Sequence, residues 1–364
     1  MSADFDSLLR AMVEREATDL FLKVDTPAFM RIYGRLVPVS NQVTSKEELL
    51  AIASMLMGQD RQQVFEHERE MNFAFERPTI GRFRANVLWQ KGSVAFVIRR
   101  VQRTIPNFEE LQLPVEVIKK LMQERSGLIL LTGSSGSGKS TTAAAMLDWL
   151  NRNVPKHIVT LEDPIEFQFE EHKAIINQRE VGHDTLTFRE GLRNILRQSS
   201  DVLFLSDIRD LETIESALVA AESGQLVLSC LHTTNTVTTV ERLVAFFPPY
   251  QQQLIRLRLS LALKGLISLR LLAKRDGAGR VPACEILVST PRVRDVIREG
   301  RTEELPGVLH DGAIYGMQSF TQALYALYRR GSVTLDEALR FADSPEELDL
   351  AIQEIRATRD VRST

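Results

Sequence analysis

The sequence predicts an α/β protein: a mostly parallel sheet covered by helices on both faces, with a smaller α+β domain before it and a helical end after it. Three observations predict this. Short, uniformly apolar runs at 128–132, 157–161, 202–205 and 226–231 alternate with helical patterns, as strands buried on both faces require. The first hundred residues instead mix short strand-like segments with two helical patterns, and from about residue 290 the pattern is helical throughout. The chain has 364 residues, enough for two domains that each bury a core.

In order, Phe5, Leu8, Leu9, Met12 and Val13 recur at helical spacing and predict an opening amphipathic helix. Strand-like pieces follow at 19–24, 30–33, 71–75, 82–88 and 94–101, with a helical pattern at 46–57. The expected N-terminal domain spans 1–101. Pro106 and Pro114 punctuate 102–114, which reads as an interdomain linker. A helix is expected at 115–123, the main domain at 115–289, and a C-terminal helical subdomain at 290–364, where Phe320, Leu324 and Leu327 form one apolar face.

Composition narrows the function classes. The net charge is −3, so there is no overall electrostatic pull toward nucleic acid. No apolar run approaches the roughly 20 residues that span a bilayer, and the start, MSADFDSLLRAMVERE, lacks the basic and greasy segments of a signal peptide. A cytosolic protein without direct membrane insertion is expected. Cys230 and Cys284 lie in strand-like apolar runs and read as buried hydrophobes. The six histidines have no zinc-ligand spacing.

The segment GSSGSGKS, residues 133–140, fits G-x-x-x-x-G-K-[ST]. A buried strand, SGLILLT, precedes it and a helix, STTAAAMLDWLNRN, follows, which is the context that gives the motif its meaning. Gly133, Gly136 and Gly138 let the backbone turn its N–H groups inward. Those groups, with Ser134, Ser135 and Ser137 between them, surround an anion at a helix N-terminus. Lys139 is expected to reach the β- and γ-phosphates of ATP, and the Ser140 hydroxyl to ligate Mg²⁺, with Thr141 close behind. A flexible Ser/Gly connector is the bland alternative.

Ligands of a parallel sheet sit beyond the carboxyl ends of its strands. Glu162-Asp163 and Asp207 stand at two such ends, and His232 at a third. A strand-end carboxylate beside a phosphate loop suits an Mg²⁺ partner or a base for water. A helix cap or turn acid is the structural alternative.

TGSSGSGKSTT, TLEDPIEF, NQREVGHDT, LSDIRDLET and LHTTN occur in one chain, in that order. Together they resemble the type II/IV secretion ATPases, in particular the PilT/PilU family of type IV pilus retraction ATPases. QREVGHDT, LRQSSDV and TLDEALRFADSPEELDLAI are closer to the PilU-like branch. The resemblance runs from ATDLFLKV through GRFRANV to GMQSFTQALYALYRRG, nearly the whole chain.

It implies a homo-hexameric ring at the cytoplasmic face of the inner membrane, docked on the pilus inner-membrane platform protein and working with a paralogous retraction ATPase. Each subunit would carry a PAS-like N-terminal domain and a RecA-like motor domain. By the same resemblance Glu162 is the catalytic acid, Asp207 the Walker B acid that also serves the metal, and His232 the second His-box histidine. Arg82, Arg84 and Arg99 fall where the N-terminal domain supplies arginines to the nucleotide phosphates; solvated arginines on an amphipathic strand are the other reading. The segment 290–301 resembles a helix that the family uses in retraction.

Two positions depart from the family pattern. Ser206-Asp207 replaces Gly-Glu, and Gly224-Gln225 replaces Gly-His. Aspartate draws its carboxylate back by about 1.5 Å, one C–C bond, and a misplacement of about 1 Å can cost about a hundredfold in rate. Glutamine does not take a proton as imidazole does. Both changes are expected at the hydrolytic edge, predicting ATP binding with slow or partner-dependent hydrolysis. A nucleotide-gated scaffold is the alternative. A GTPase is disfavoured because no N-K-x-D motif is present. A small-molecule kinase leaves the GRFR-bearing domain unexplained. A nucleic-acid motor would use the basic stretch Arg256, Arg258, Lys264, Arg270, Lys274 and Arg275, but no aromatics interleave with it; a solvated or subunit-interface face is favoured there.

Overall fold

The computed structural model describes residues 2–101, 104–277 and 279–362. The chain divides into two compact units: Met1–Arg103 with Glu166–Gln168, and Thr104–Ile165 with Phe169–Thr364.

The first unit runs α1 (Ser2–Glu14), β1 (Asp19–Leu22), β2 (Pro27–Ile32), β3 (Arg35–Val43), α2 (Lys46–Glu68), β4 (Glu70–Arg77), β5 (Gly81–Gln90) and β6 (Ser93–Arg100). Its sheet has the order β3-β2-β1-β6-β5-β4, with every neighbouring pair antiparallel. Phe5, Leu9 and Met12 of α1 pack with Leu20, Leu22, Phe83, Phe96 and Ile98 of the sheet. Helix α2 starts with a capping box between Ser45 and Glu48 and passes through a non-helical Gly58. The break falls just after the segment 46–57 that the sequence marks as helical, and the chain then continues as a second helical stretch. β3 was not expected. It is an edge strand with much of its length exposed, so it carries little of the apolar alternation that marks a strand.

The second unit contains α3 (Val115–Met122), β7 (Gly127–Thr132), α4 (Lys139–Asn153), β8 (His157–Glu162), β9 (Ile175–Glu180), α5 (Phe188–Ile195), β10 (Val202–Leu205), α6 (Leu211–Glu222), β11 (Leu226–Leu231), α7 (Thr236–Ala245), α8 (Pro249–Ala262), β12 (Leu263–Ala273) and β13 (Arg280–Val288). Among the described residues five α-helices end it: α9 (Pro291–Glu299), α10 (Leu305–Asp311), α11 (Phe320–Arg329), α12 (Leu335–Arg340) and α13 (Pro345–Arg362). The sheet order is β13-β12-β7-β11-β10-β8-β9. All pairs are parallel except β12 with β13.

Alternate residues of the central strands feed two cores. Leu128, Leu130, Val159, Leu203 and Val227 face one, closed by α5 to α10. Ile129, Leu131, Ile158, Phe204 and Leu228 face the other, closed by α3 and α4. A strand buried on both sides has no polar face, which is why these four runs read as continuously apolar. In the stretch expected to be a linker, Phe108 and Leu113 are buried in the second of these cores.

The basic stretch is not a single face. It is divided between α8 and β12, and its cations pair separately: Arg256 with Glu241, Arg258 with Glu222, Lys264 with Glu124 and Arg270 with Asp343. Cys230 and Cys284 are buried thiols that form no disulfide, and burial alone pushes the Cys284 thiol up to about 12. Among the described residues no helix is long and apolar enough to cross a membrane.

Candidate functional site

The sheet order sets the site. Four adjacent strands, β7, β11, β10 and β8, end on the same edge. Their ends carry Gly133, His232, Ser206-Asp207 and Glu162-Asp163 in that lateral order. Strands lie about 4.8 Å apart, so the phosphate loop and Glu162 are three strand spacings, roughly 14 Å, from one another along the edge.

The loop between β7 and α4 has the backbone that its glycines allow. Gly133, Gly136 and Gly138 have φ of 145°, 76° and 97°. At Gly133 a Cβ would lie 2.3 Å from Ser137 Oγ and 2.6 Å from the Leu269 carbonyl oxygen, so only glycine fits. Gly138 is the left-handed N-cap of α4. Ser134, Ser135 and Gly136 form the exposed tip, Ser137 and Lys139 are buried, and Ser140 and Thr141 are half-buried on the first turn of α4. The Ser137 hydroxyl is buried with no hydrogen-bond partner. A cleft of 310 Å³ opens on Gly133 to Ser137, with Thr234, Arg270, Arg280 and Phe341 among its walls.

Lys139 Nζ donates to the carbonyls of Gly133 (2.7 Å) and Ser134 (2.9 Å) and lies 3.4 Å from His232 Nδ1. An ammonium has only protons to offer, so Nδ1 accepts and the imidazole proton sits on Nε2. That nitrogen is 3.5 Å from Asp207 Oδ2. Arg209 Nε donates to the same oxygen (3.0 Å), and its Nη1 donates to Asp163 Oδ2 (2.9 Å). Burial would lower the pKa of Arg209, but its hydrogen bonds and charge contacts with Asp207 and Asp163 outweigh this and the net shift is upward. Asp163 N–H donates to Ser206 Oγ at 3.2 Å. A chain of contacts therefore runs from Lys139 through His232, Asp207 and Arg209 to Asp163, crossing all four strand ends. Arg209 was not singled out from the sequence; its place two residues after a strand-end acid was the available signal.

The second carboxylate oxygen of Asp207, Oδ1, is buried with no hydrogen-bond partner. A buried, unpaired anionic oxygen is costly, and a cation or its bound water would satisfy it. Such an oxygen is a hard donor suited to Mg²⁺, and the Ser140 hydroxyl on the first turn of α4 is a second hard donor of the kind that Mg²⁺ takes. Among the described residues no group of three or more His, Cys, Asp and Glu is placed to hold a metal ion. Glu162 is 5% exposed and accepts from Thr160 Oγ1 (2.7 Å) and Gln178 Nε2 (3.1 Å).

Gln225 differs from expectation. It precedes β11, so it lies at the opposite edge of the sheet from His232. There its carbonyl accepts from Gly127 N–H, and its Nε2 donates to Ser200 Oγ at 3.1 Å. The sequence places it at the hydrolytic edge only if the strand between Gln225 and His232 is ignored.

Arg82, Arg84 and Arg99 belong to the first unit. Arg82 and Arg84 share a face of β5, and Arg84 stands opposite Arg99 of β6. Arg99 donates to the buried Asp19, which also pairs with Arg31. The register continues this as one row, Arg84, Arg99, Asp19 and Arg31, across four strands.

A profile of the family described as type II/IV secretion system protein matches residues 6–285. The chain belongs to that family. Among relatives of this type II/IV secretion protein, the type IV pilus ATPase PilU of Pseudomonas aeruginosa is 39% identical over 350 residues, 96% of this chain and 91% of that one. The type IV pilus retraction ATPase PilT of the same organism is 38% identical over 94% of this chain and 99% of its own length. In structure, the pilus retraction motor PilT with bound ADP superposes with a TM-score of 0.86 at 40% identity, covering 94% of this chain and 98% of that one. The Legionella pneumophila ATPase DotB gives a TM-score of 0.80 at 26% identity, covering 92% and 94%.

Proposed function

We propose that this chain is an ATPase motor subunit for retraction of type IV pili, binding Mg·ATP at the 133–141 loop. The single observation that carries the reading is the convergence of Lys139, His232 and Asp207 beside that loop. Nearly full-length similarity to both PilU and PilT supports the biological assignment. In this reading residues 1–101 form a PAS-like domain, 102–114 the connection, 115–289 the RecA-like core and 290–364 the C-terminal subdomain. Six copies form a ring at the cytoplasmic face of the inner membrane, on the pilus platform protein.

Each residue has a task. The backbone N–H groups of 133–138 and the α4 N-terminus hold the phosphates. Lys139 leaves its two carbonyl partners for the β- and γ-phosphates, and His232, released from Lys139, meets the γ-phosphate by donating a ring N–H, which at Nδ1 requires the proton to move there from Nε2. Ser140 and Asp207 hold Mg²⁺; when bound, the ion draws off charge from the phosphate oxygens. Glu162 accepts the proton of the attacking water as the bond from the γ-phosphorus to the β,γ-bridging oxygen breaks, leaving ADP and phosphate. The cationic row of Arg84 and Arg99, with Arg82 beside it, suits stabilisation of the developing phosphate charge.

A second reading, a nucleotide-gated scaffold with little hydrolysis, is favoured by one observation: the strand-end acid is the shorter aspartate, and its Oδ2 is already in contact with Arg209 and His232. Steady-state ATPase of the purified chain, with its oligomeric state followed by light scattering and Lys139→Ala as control, separates the two. Turnover that depends on Lys139 in a hexamer supports the motor. ATP binding without turnover supports the scaffold, and stimulation by the paralogous retraction ATPase then selects a helper.

A further inference from the structure

We propose that Thr160 and Gln178 are positioning residues for Glu162, setting the plane of the carboxylate that receives the proton of the attacking water. This rests on the hydrolytic reading above. Thr160 lies two residues before Glu162 on β8, so both side chains leave the same face of the sheet. It is fully buried. A valine would suit this interior strand position as well and would bring no hydroxyl to satisfy. The hydroxyl has a specific use, since it donates to Glu162 Oε1 at 2.7 Å.

The second donor comes from β9, the edge strand. Parallel register sets Thr160 beside Gln178 and Glu162 beside Glu180. Gln178 Nε2 donates to the same Oε1 at 3.1 Å. Its amide cannot turn over without loss, because its Oε1 already accepts the backbone N–H of Phe169 at 3.1 Å. With the carbonyl end committed, the amino end must face Glu162. Two donors on one carboxylate oxygen, both themselves fixed, leave the group little rotational freedom. The other oxygen is thereby held in a set direction.

Purely structural satisfaction of a buried acid would also use two donors, but it would not make the catalytic rate depend on them selectively. A base must approach its proton within about 2.6–3.2 Å, and an error of about 1 Å can cost about a hundredfold. Loss of one donor should therefore lower kcat and leave nucleotide binding alone.

The test uses the full-length oligomer. Thr160→Val removes the hydroxyl at almost constant shape, Thr160→Ser restores it, and Gln178→Glu keeps the acceptor for Phe169 while turning a carboxylate toward Glu162. For each variant kcat, KM for ATP, ADP affinity and Tm are measured. Thr160→Val is expected to lower kcat by about tenfold or more, with KM and ADP affinity within about twofold. Thr160→Ser should recover most of the loss, and Gln178→Glu should lower kcat further. An unchanged kcat in Thr160→Val, beside an active unmodified chain, overturns the positioning role alone. So does a parallel fall of kcat and ADP affinity that Thr160→Ser fails to rescue. If the unmodified chain binds ADP and does not turn over ATP, either alone or with the paralogous retraction ATPase added, the hydrolytic reading falls and this inference falls with it.

Discussion

Gln225 and His232 stand at opposite ends of one strand, β11, with six residues between them. At about 3.3 Å per residue the seven steps between them span roughly 23 Å. His232 reaches Lys139 and Asp207, whereas Gln225 reaches Ser200. Gln225→His should therefore change ATPase activity of the chain by less than about twofold, as expected for a distant, uncoupled site. A gain of tenfold in the same assay would mean that the two ends communicate.

Asp207 behaves differently, because its buried Oδ1 has no partner while Oδ2 is shared by Arg209 and His232. One added methylene carries the carboxylate about 1.5 Å outward. Asp207→Glu should raise kcat by about tenfold or more with ATP affinity nearly unchanged, given the steep dependence of rate on such distances. Single-turnover hydrolysis and equilibrium binding of a fluorescent ATP analogue measure the two separately.

Arg209 ties Asp207 to Asp163 with two different nitrogens of one guanidinium. Lysine is a point charge without that fork. Both Arg209→Lys and Arg209→Gln should thus lower kcat, by about fivefold or more, while Asp163→Asn added to Arg209→Gln costs little extra. Such non-additivity is what a shared contact produces, and a double-mutant cycle on kcat reads it directly.

Glu285 on β13 supplies a pH prediction. Its carboxylate accepts from the backbone N–H and hydroxyl of Thr236 at the start of α7. Burial raises its pKa above the ordinary 4.5, with Asp343 adding to the rise, and the Thr236 bonds and Arg270 oppose it without cancelling it. A carboxyl with a raised folded pKa holds more protons folded than unfolded, so its contribution weakens stability as pH rises from about 4.5 through the folded value. Glu285→Gln should flatten that part of the Tm profile between about pH 4 and 7. An identical slope in the variant would show that other groups set it.

The central strands and the phosphate loop were legible because both obey local rules. A strand buried on both faces is apolar throughout, and a phosphate loop needs glycine at fixed positions. β9 was not legible, since IINQRE is an edge strand whose Asn177, Gln178 and Arg179 mimic a loop. β12 was hidden by Lys264 and Arg270, whose charges are met by Glu124 and Asp343, far away in sequence. β13 was legible only as the strand-like apolar run around Cys284, because Pro282 disguises its start. For the site, strand ends could be read one at a time, but their lateral order depends on topology. That order brings His232 between the loop and Asp207, and it gives Arg209 two acids to bridge.

The most direct test is steady-state ATP hydrolysis by the purified oligomer, with Lys139→Ala beside it. A motor built on this edge should hydrolyse ATP, alone or when the paralogous retraction ATPase is added, and the substitution should abolish this chain's share of turnover. ATP binding with no turnover under either condition, or turnover indifferent to Lys139, would contradict a hydrolytic site at residues 133–141.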